Sequence, residues 1–452
     1  MNQEPRRTTR PVRRTPVRAR RPARRKRSVI SLPRIGLVLA VALLILLGTC
    51  STPPLRLWSS SQAQLSAQLG EDTSNHPTTI PRLPTVTPWP SPSATVGVMA
   101  NMLPTPLPQP TIPPMLQPSV ASVPLDEVGV VIDTYVQDLA NANFFSGSIL
   151  VAHRGEILIS KGYGMANAEE NRPNTPHTRF RLASVSKPFT AMAIMQLHAR
   201  NRLNISDPIC TYLPDCPPAW RPVTIRHLLT HTSGIPNYTD FANFEQTEMY
   251  PTSVEHLIDR FKYEPLLFEP DALYSYSNSG YVLLGVIIER ASGTSYAEFV
   301  EEQIFKPLEM WNSGYDFNLD YVTDRALGYA VVGQPANPID PSTLYAAGAL
   351  YSTAEDLYRW DQALYTEKLL PRALLDEMFT PNLGEYGYGW RISGNYGRRT
   401  LNHGGLINGF SNYIARYPDE QLTVIVLSNL QSTDAYGIGE YLAQLVFESQ
   451  SP

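Results

Sequence analysis

Fourteen prolines lie between Pro77 and Pro124, counting both, and they restrict this 452-residue chain more sharply than any other feature. Proline offers no backbone N–H to a helix or ladder, and its fixed φ favours extended polyproline geometry. Residues 51–124, from "TPPLRLWSSSQAQ" to "LPTPLPQPTIPPMLQPSVASVPL", are therefore expected to form a semi-rigid, disordered spacer. A packed core has to come from the chain beyond it.

The segment before the spacer has a different bias. Residues 1–34 carry twelve Arg, one Lys and one Glu, a formal charge of +12, while the whole chain carries −4, so the remainder carries −16. Such a tail can bind nucleic acid or anionic lipid, and its neighbour decides between them. Ile35–Thr49 is a run of fifteen uncharged residues ending at "LLGTC". It is short for a full span of roughly 20 residues and at the upper limit of a signal-peptide core of about 7–15. Residues 35–50 thus read as a transmembrane anchor or signal segment, and Cys50 also ends a lipoprotein-like box. All these readings make residues 1–34 a cytoplasmic tail and put everything after Leu47 outside the cytoplasm. The membrane is then a partner through the N-terminal segment. The acidic remainder argues against nucleic-acid binding by the globular part.

Residues 125–452 have the composition of a globular domain with ample length for a large core. "FSGSILVAHRGEILISKGYGMAN" alternates apolar and polar residues about "HRGE", as a hairpin does. "TLNHGGLINGFSNYIARYPDEQLTVIVLSNL" holds three more strand candidates. Between these ends, "KPFTAMAIMQLHARNRL", "SGYVLLGVIIERASG", "SYAEFVEEQIFKPLEM" and "TAEDLYRWDQALYTEKLL" have helical periodicity. The expected fold class is α+β, an antiparallel β-sheet flanked by helices with an inserted, mostly helical region. No internal repeat is present.

The chain has six lysines, and Lys187 alone has a serine three positions before it. On a helix Ser184 and Lys187 share a face, and Pro188, tolerated only near a helix start, puts that start close to Ser184. A serine hydroxyl is a weak nucleophile until a neighbour removes its proton, which a lysine of lowered pKa can do. Ser186 lies about 200° from Ser184 around the helix and cannot share the face. The bland alternative for Ser184 is an ordinary helix N-cap.

Tyr276 is the one tyrosine of 24 followed two positions later by asparagine, Asn278. Tyr can pass protons if positive charge lowers its pKa, and Asn can bond both a lysine and a substrate amide. In "NHGGLINGF", Gly404 and Gly405 permit close backbone approach to a ligand, and His403 can donate to it. Alone, each of these segments reads as a turn before a regular element.

Together, "SVSK", "YSN" and "HGG" occur in the order found in the serine β-lactamase and penicillin-binding-protein superfamily, and the chain resembles its class C and esterase branch over residues 130–445. The flanking "RFRLASVSKPFTA", "IRHLLTHTSGIP" and "LYAAGALYSTAEDL" are similar to that family's as well. The resemblance implies a β-lactamase/transpeptidase-like fold, Ser184 as acylated nucleophile and Lys187 as its general base. Tyr276 would relay a proton to the leaving group or activate the deacylating water, and Asn278 would orient substrate and lysine. The N–H groups of Ser184 and Leu406 would form the oxyanion hole, worth roughly 3–4 kcal/mol per donor. His403, Gly404 and Gly405 stand where the family often has Lys, Thr or Ser, and Gly. A neutral His there suits a substrate carboxylate less well than a lysine, which favours an esterase or a peptidase of unusual specificity without removing β-lactam turnover.

The implied partners are a small-molecule or peptide ester or amide and cell-wall peptides, with no cofactor. A slowly acylating sensor or wall-binding protein is the alternative, and a wall-spacing role is a third. Cys210 and Cys216 in "CTYLPDC" are expected to pair as a disulfide in an exported region, against two free thiols. His227 and His231 have the spacing of a helical metal pair but lack the glutamate of the protease motif, so they read as structural, and no metal is expected. There is no GxSxG elbow, P-loop or dinucleotide fingerprint.

Overall fold

The structure, a computed structural model, describes residues 127–318 and 323–450. The tail 1–34, the segment 35–50, the spacer 51–124 and the domain start at Leu125 lie outside the described residues. Among the described residues no helix is long and apolar enough to cross a membrane.

Two strands from the start of the domain, β1 (Gly147–His153) and β2 (Glu156–Tyr163), join four from its end: β3 (Arg391–Asn395), β4 (Arg398–Ile407), β5 (Phe410–Tyr417) and β6 (Leu422–Ser428). They form one antiparallel sheet in the order β3-β4-β5-β6-β1-β2. The two chain ends meet where β1 pairs with β6, Gly147 opposite Ser428 and His153 opposite Leu422. This is the α+β layout expected from the sequence.

Five long helices complete the layers: α1 (Val128–Asn141), α2 (Lys187–Ala199), α3 (Asn278–Ser292), α4 (Ala354–Ala363) and α5 (Ala435–Ser449). α1 and α5, which the sequence reading did not pick out, cover one face of the sheet. There Ile132, Val136, Ile438 and Leu442 pack on Ile149, Val151, Val424 and Val426. Strand side chains alternate between faces, so Leu150, Ala152, Ile425 and Leu427 join the other core, with Phe189 of α2 and Trp360 of α4. Coverage on both faces is why β1 and β6 are buried along their whole length rather than alternating with solvent. α2 and α3, both largely buried, pack against each other in the helical layer, and their N-termini meet where Lys187 bonds Asn278.

Candidate active site

Ser184 lies in a single 3-10 turn, Ala183–Ser186, that runs directly into α2 at Lys187. The helix therefore starts at the lysine, one turn later than the sequence suggested. Ser184 is not a helix cap. Ser186 occupies the cap position, makes no capping bond, and accepts the Leu350 N–H at 3.2 Å from full burial. Ala183 holds a φ of +51°, a conformation costly for a residue with a Cβ, so the turn bearing Ser184 is locally strained.

Lys187 is fully buried, with Nζ 3.0 Å from Ser184 Oγ, 2.8 Å from Asn278 Oδ1 and 2.9 Å from the Ala347 carbonyl oxygen. Burial holds its pKa well below the ordinary lysine value. A neutral amine has two N–H groups and one lone pair. Asn278 Oδ1 and the Ala347 carbonyl only accept, so they take the two N–H groups and leave the lone pair for the Ser184 hydroxyl.

Tyr276 Oη donates to Ser184 Oγ at 2.9 Å. The sequence reading made proton transfer by Tyr276 conditional on a pKa lowered by nearby positive charge, and that condition is not met. Burial raises the Tyr276 pKa, outweighing its bond to Ser184 and the field of Arg391. Lys187 Nζ sits 4.9 Å from the ring centroid, and burial of both groups disfavours their charged forms. Tyr276 is thus a protonated phenol.

Asn278 opens α3, whose N-cap Ser277 accepts the Gly280 N–H. Its Oδ1 faces Lys187, its Nδ2 donates to Thr239 Oγ1 at 3.0 Å, and its backbone N–H donates to Asn237 Oδ1 at 2.9 Å. These bonds fix which way the amide points.

β4 forms the opposite wall. β3 ends with Arg391 opposite Asn402, so residues 403–407 of β4 have no strand partner on that side among the described residues. Ile407 and Phe410 close the two-residue turn Asn408–Gly409, and the closing pair of such a turn is the hydrogen-bonded one. By alternation Gly404 and Leu406 turn their N–H groups away from β5, toward the unpaired edge. Gly405 has a steric reason to be glycine. A Cβ there would lie 2.2 Å from the Leu182 carbonyl oxygen and 3.2 Å from Val185 N, so any side chain would push β4 off the turn that carries Ser184. At Gly404 the nearest atom to a Cβ is 3.8 Å away.

His403 departs from its expected role as a donor to ligand. It is buried, its Nδ1 lies 2.7 Å from the Gly404 carbonyl oxygen and its Nε2 2.9 Å from Tyr386 Oη. The carbonyl only accepts, so Nδ1 carries the proton and Nε2 accepts from Tyr386. Both nitrogens are engaged within the protein. Burial pushes its pKa down to about 3, so the ring is neutral.

Among known proteins, the profile of the Beta-lactamase family matches residues 131–447. The chain belongs to the β-lactamase family. Penicillin-binding protein 4* of Bacillus subtilis is 36% identical over 332 residues, which cover 68% of this chain and 72% of that protein. The crystal structure of a penicillin binding protein from Bacillus halodurans superposes with a TM-score of 0.60 at 31% identity, covering 68% of this chain and 97% of that one. An octameric penicillin-binding protein homologue from Pyrococcus abyssi reaches a TM-score of 0.64 at 28% identity, covering 70% and 77%. This β-lactamase-family chain is a serine hydrolase of the β-lactamase and penicillin-binding-protein group.

Several neighbours of the β-lactamase-family motifs escaped the sequence reading: Asn237, Thr239, Ala347, Tyr386 and Arg391. Arg391 is exposed, and its field reaches Tyr276, His231 and His403. None carries a spacing signal to the motifs, because Asn237 and Thr239 come from one segment, Ala347 and Tyr386 from two others, and Arg391 from the start of β3. Cys210 and Cys216 are disulfide-bonded, with Cα atoms 5.3 Å apart. His227 and His231 do not share a helical face, since the helix Ile225–Leu229 ends before His231. His227 Nδ1 instead accepts the Thr224 N–H in a capping box. No group of three or more metal-binding side chains occurs among the described residues.

Proposed function

We propose that this chain cleaves an ester or amide through an acyl-enzyme on Ser184. The observation that carries this reading is the convergence on Ser184 Oγ of a buried lysine at 3.0 Å and a tyrosine hydroxyl at 2.9 Å. In this reading the Lys187 lone pair takes the hydroxyl proton as Oγ attacks the substrate carbonyl carbon. The N–H groups of Ser184 and Leu406 stabilise the developing oxyanion. Tyr276 passes its proton to the departing oxygen or nitrogen and recovers one from the Lys187 ammonium. Water then releases the acyl group.

His403, neutral and engaged on both nitrogens, offers little to a substrate carboxylate, which supports neutral esters and amides over anionic ones. Arg391 is the exposed cation whose field reaches the site, and it keeps peptides with an anionic terminus within range. The relatives' names, penicillin-binding proteins, support a peptide-like amide in the same cleft. Export and membrane tethering complete the proposal. The charge asymmetry of the N-terminus supports them, as does the Cys210–Cys216 disulfide, since such bonds persist in oxidising compartments.

A fluorophosphonate probe should label the protein but not its Ser184→Ala variant. Equal labelling of both overturns the assignment. A slowly acylating sensor is favoured by one observation: Tyr276 is held as a phenol and so provides no ready base for the deacylating water. Pre-steady-state kinetics separate the two readings, because one equivalent of product and then nothing is the sensor, and sustained turnover is the hydrolase.

A further inference from the structure

His231 appeared in the sequence only as half of an unconvincing metal pair, and the catalytic reading has not used it. It is 1% exposed and sits at a φ of +58°, in the left-handed region that a residue with a Cβ enters only under constraint. Its contacts all lead to one place. The His231 carbonyl oxygen accepts the Ser275 N–H at 2.9 Å. Its Nδ1 accepts the Ser277 N–H at 3.1 Å. These are the two residues that flank Tyr276. The imidazole centroid lies 4.3 Å from that of the Tyr276 ring, with the planes 39° apart. One residue therefore holds the backbone on both sides of Tyr276 and packs against its ring.

The geometry points to His231 as the positioning residue for Tyr276, acting as a neutral imidazole whose Nδ1 accepts. This inference rests on the proposed role of Tyr276 at Ser184. The left-handed backbone is what makes the double hold available, because it turns the carbonyl and the ring of one residue toward the N–H groups on either side of Tyr276. Nδ1 accepts, so the proton is on Nε2, which meets no hydrogen-bond acceptor. Tyr281 and Tyr386 close the cage, with centroids 5.0 Å and 4.6 Å from that of His231. Burial holds the His231 pKa well below its ordinary value, which agrees with the accepting state. A core histidine serving stability alone has no need to bond both neighbours of the residue that touches the reacting hydroxyl.

Two substitutions separate the imidazole from the backbone. Glycine adopts positive φ freely, so His231→Gly keeps the carbonyl bond to Ser275 and removes only the Nδ1 bond and the ring contact. Asparagine also tolerates positive φ, and its Oδ1 hangs from Cγ as Nδ1 does, so His231→Asn restores an acceptor for Ser277. With an ester substrate, His231→Gly should lower kcat on the order of 10²-fold with KM little changed, and His231→Asn should recover most of that loss. In a Tyr276→Phe background, where the hydroxyl is gone, His231→Gly should cost little more. Unchanged kcat in His231→Gly overturns the inference, as does an equal further loss in the Tyr276→Phe background or an asparagine variant no better than glycine. Urea midpoints of all variants exclude unfolding as the cause. Ser184→Ala is the control that separates the two levels: if it retains activity the catalytic reading fails, whereas a dead Ser184→Ala with a fully active His231→Gly removes only the role of His231.

Discussion

At the residue scale the site depends on protonation equilibria that burial shifts toward the uncharged forms. Burial without a partner carboxylate disfavours the charged form of Lys187, and burial likewise keeps Tyr276 protonated. The sign of the pH dependence follows. A base must be unprotonated to act, so kcat/KM rises as pH passes upward through the lowered Lys187 pKa, and this acid limb lies well below 10.5. Lys187→Ala should lower kcat/KM by about 10²–10⁴-fold and remove the limb. A pH–rate profile checks both, and an acid limb at or above 10.5 contradicts a buried neutral amine. Ser184, Lys187 and Tyr276 were legible because their chemistry is written in three- and two-residue spacings. The state of Tyr276 was not, because it is set by burial, which exists only in the folded chain.

At the scale of elements, the close seating of β4 on the Ser184 turn brings the two walls of the cleft together. Gly405 makes that seating possible, and Gly404 has room for a side chain. Gly405→Ala should destabilise the fold by about 1–3 kcal/mol, as overpacking does, and displace the turn. Gly404→Ala should stay within about 0.5 kcal/mol of the natural protein. Thermal unfolding of the pair tests the contrast, and equal melting temperatures would refute the steric account. The sequence showed both glycines as a pair that permits close approach, with no means of telling them apart. It likewise placed the helix start at Ser184, because Pro188 marks a first turn without specifying whether the preceding residues are α or 3-10.

Across the whole molecule, both histidines beside Tyr276 are buried and uncharged, and this ties stability to pH. The His403 pKa is about 3 in the native protein against an ordinary value of 6.5. Between these values the unfolded chain binds a proton that the native one does not, so the stabilisation is complete above pH 6.5 and is lost as pH falls. One such proton is worth about 1.4 kcal/mol per pH unit. His403→Asn should flatten the dependence of stability on pH between 6.5 and 4 by close to one proton, as read from urea unfolding at several pH values. A slope equal to that of the natural protein would mean that His403 is already charged.

What the sequence alone determined is what short-range pattern can encode. Prolines mark where no core can form, period-2 and helical runs assign the inner elements to an α+β fold, and three spaced motifs name the residues that meet at Ser184. The terminal helices α1 and α5 lay outside this reading, although they cover a whole face of the sheet. Only the tertiary structure decided the rest. It brought Asn237 and Thr239 from one segment and Ala347 and Tyr386 from two others to the site, engaged both nitrogens of His403, and wrapped His231 around Tyr276. The reason is physical: spacing along a chain fixes which residues share a turn, whereas burial, protonation state and contacts between distant loops exist only once the layers have packed.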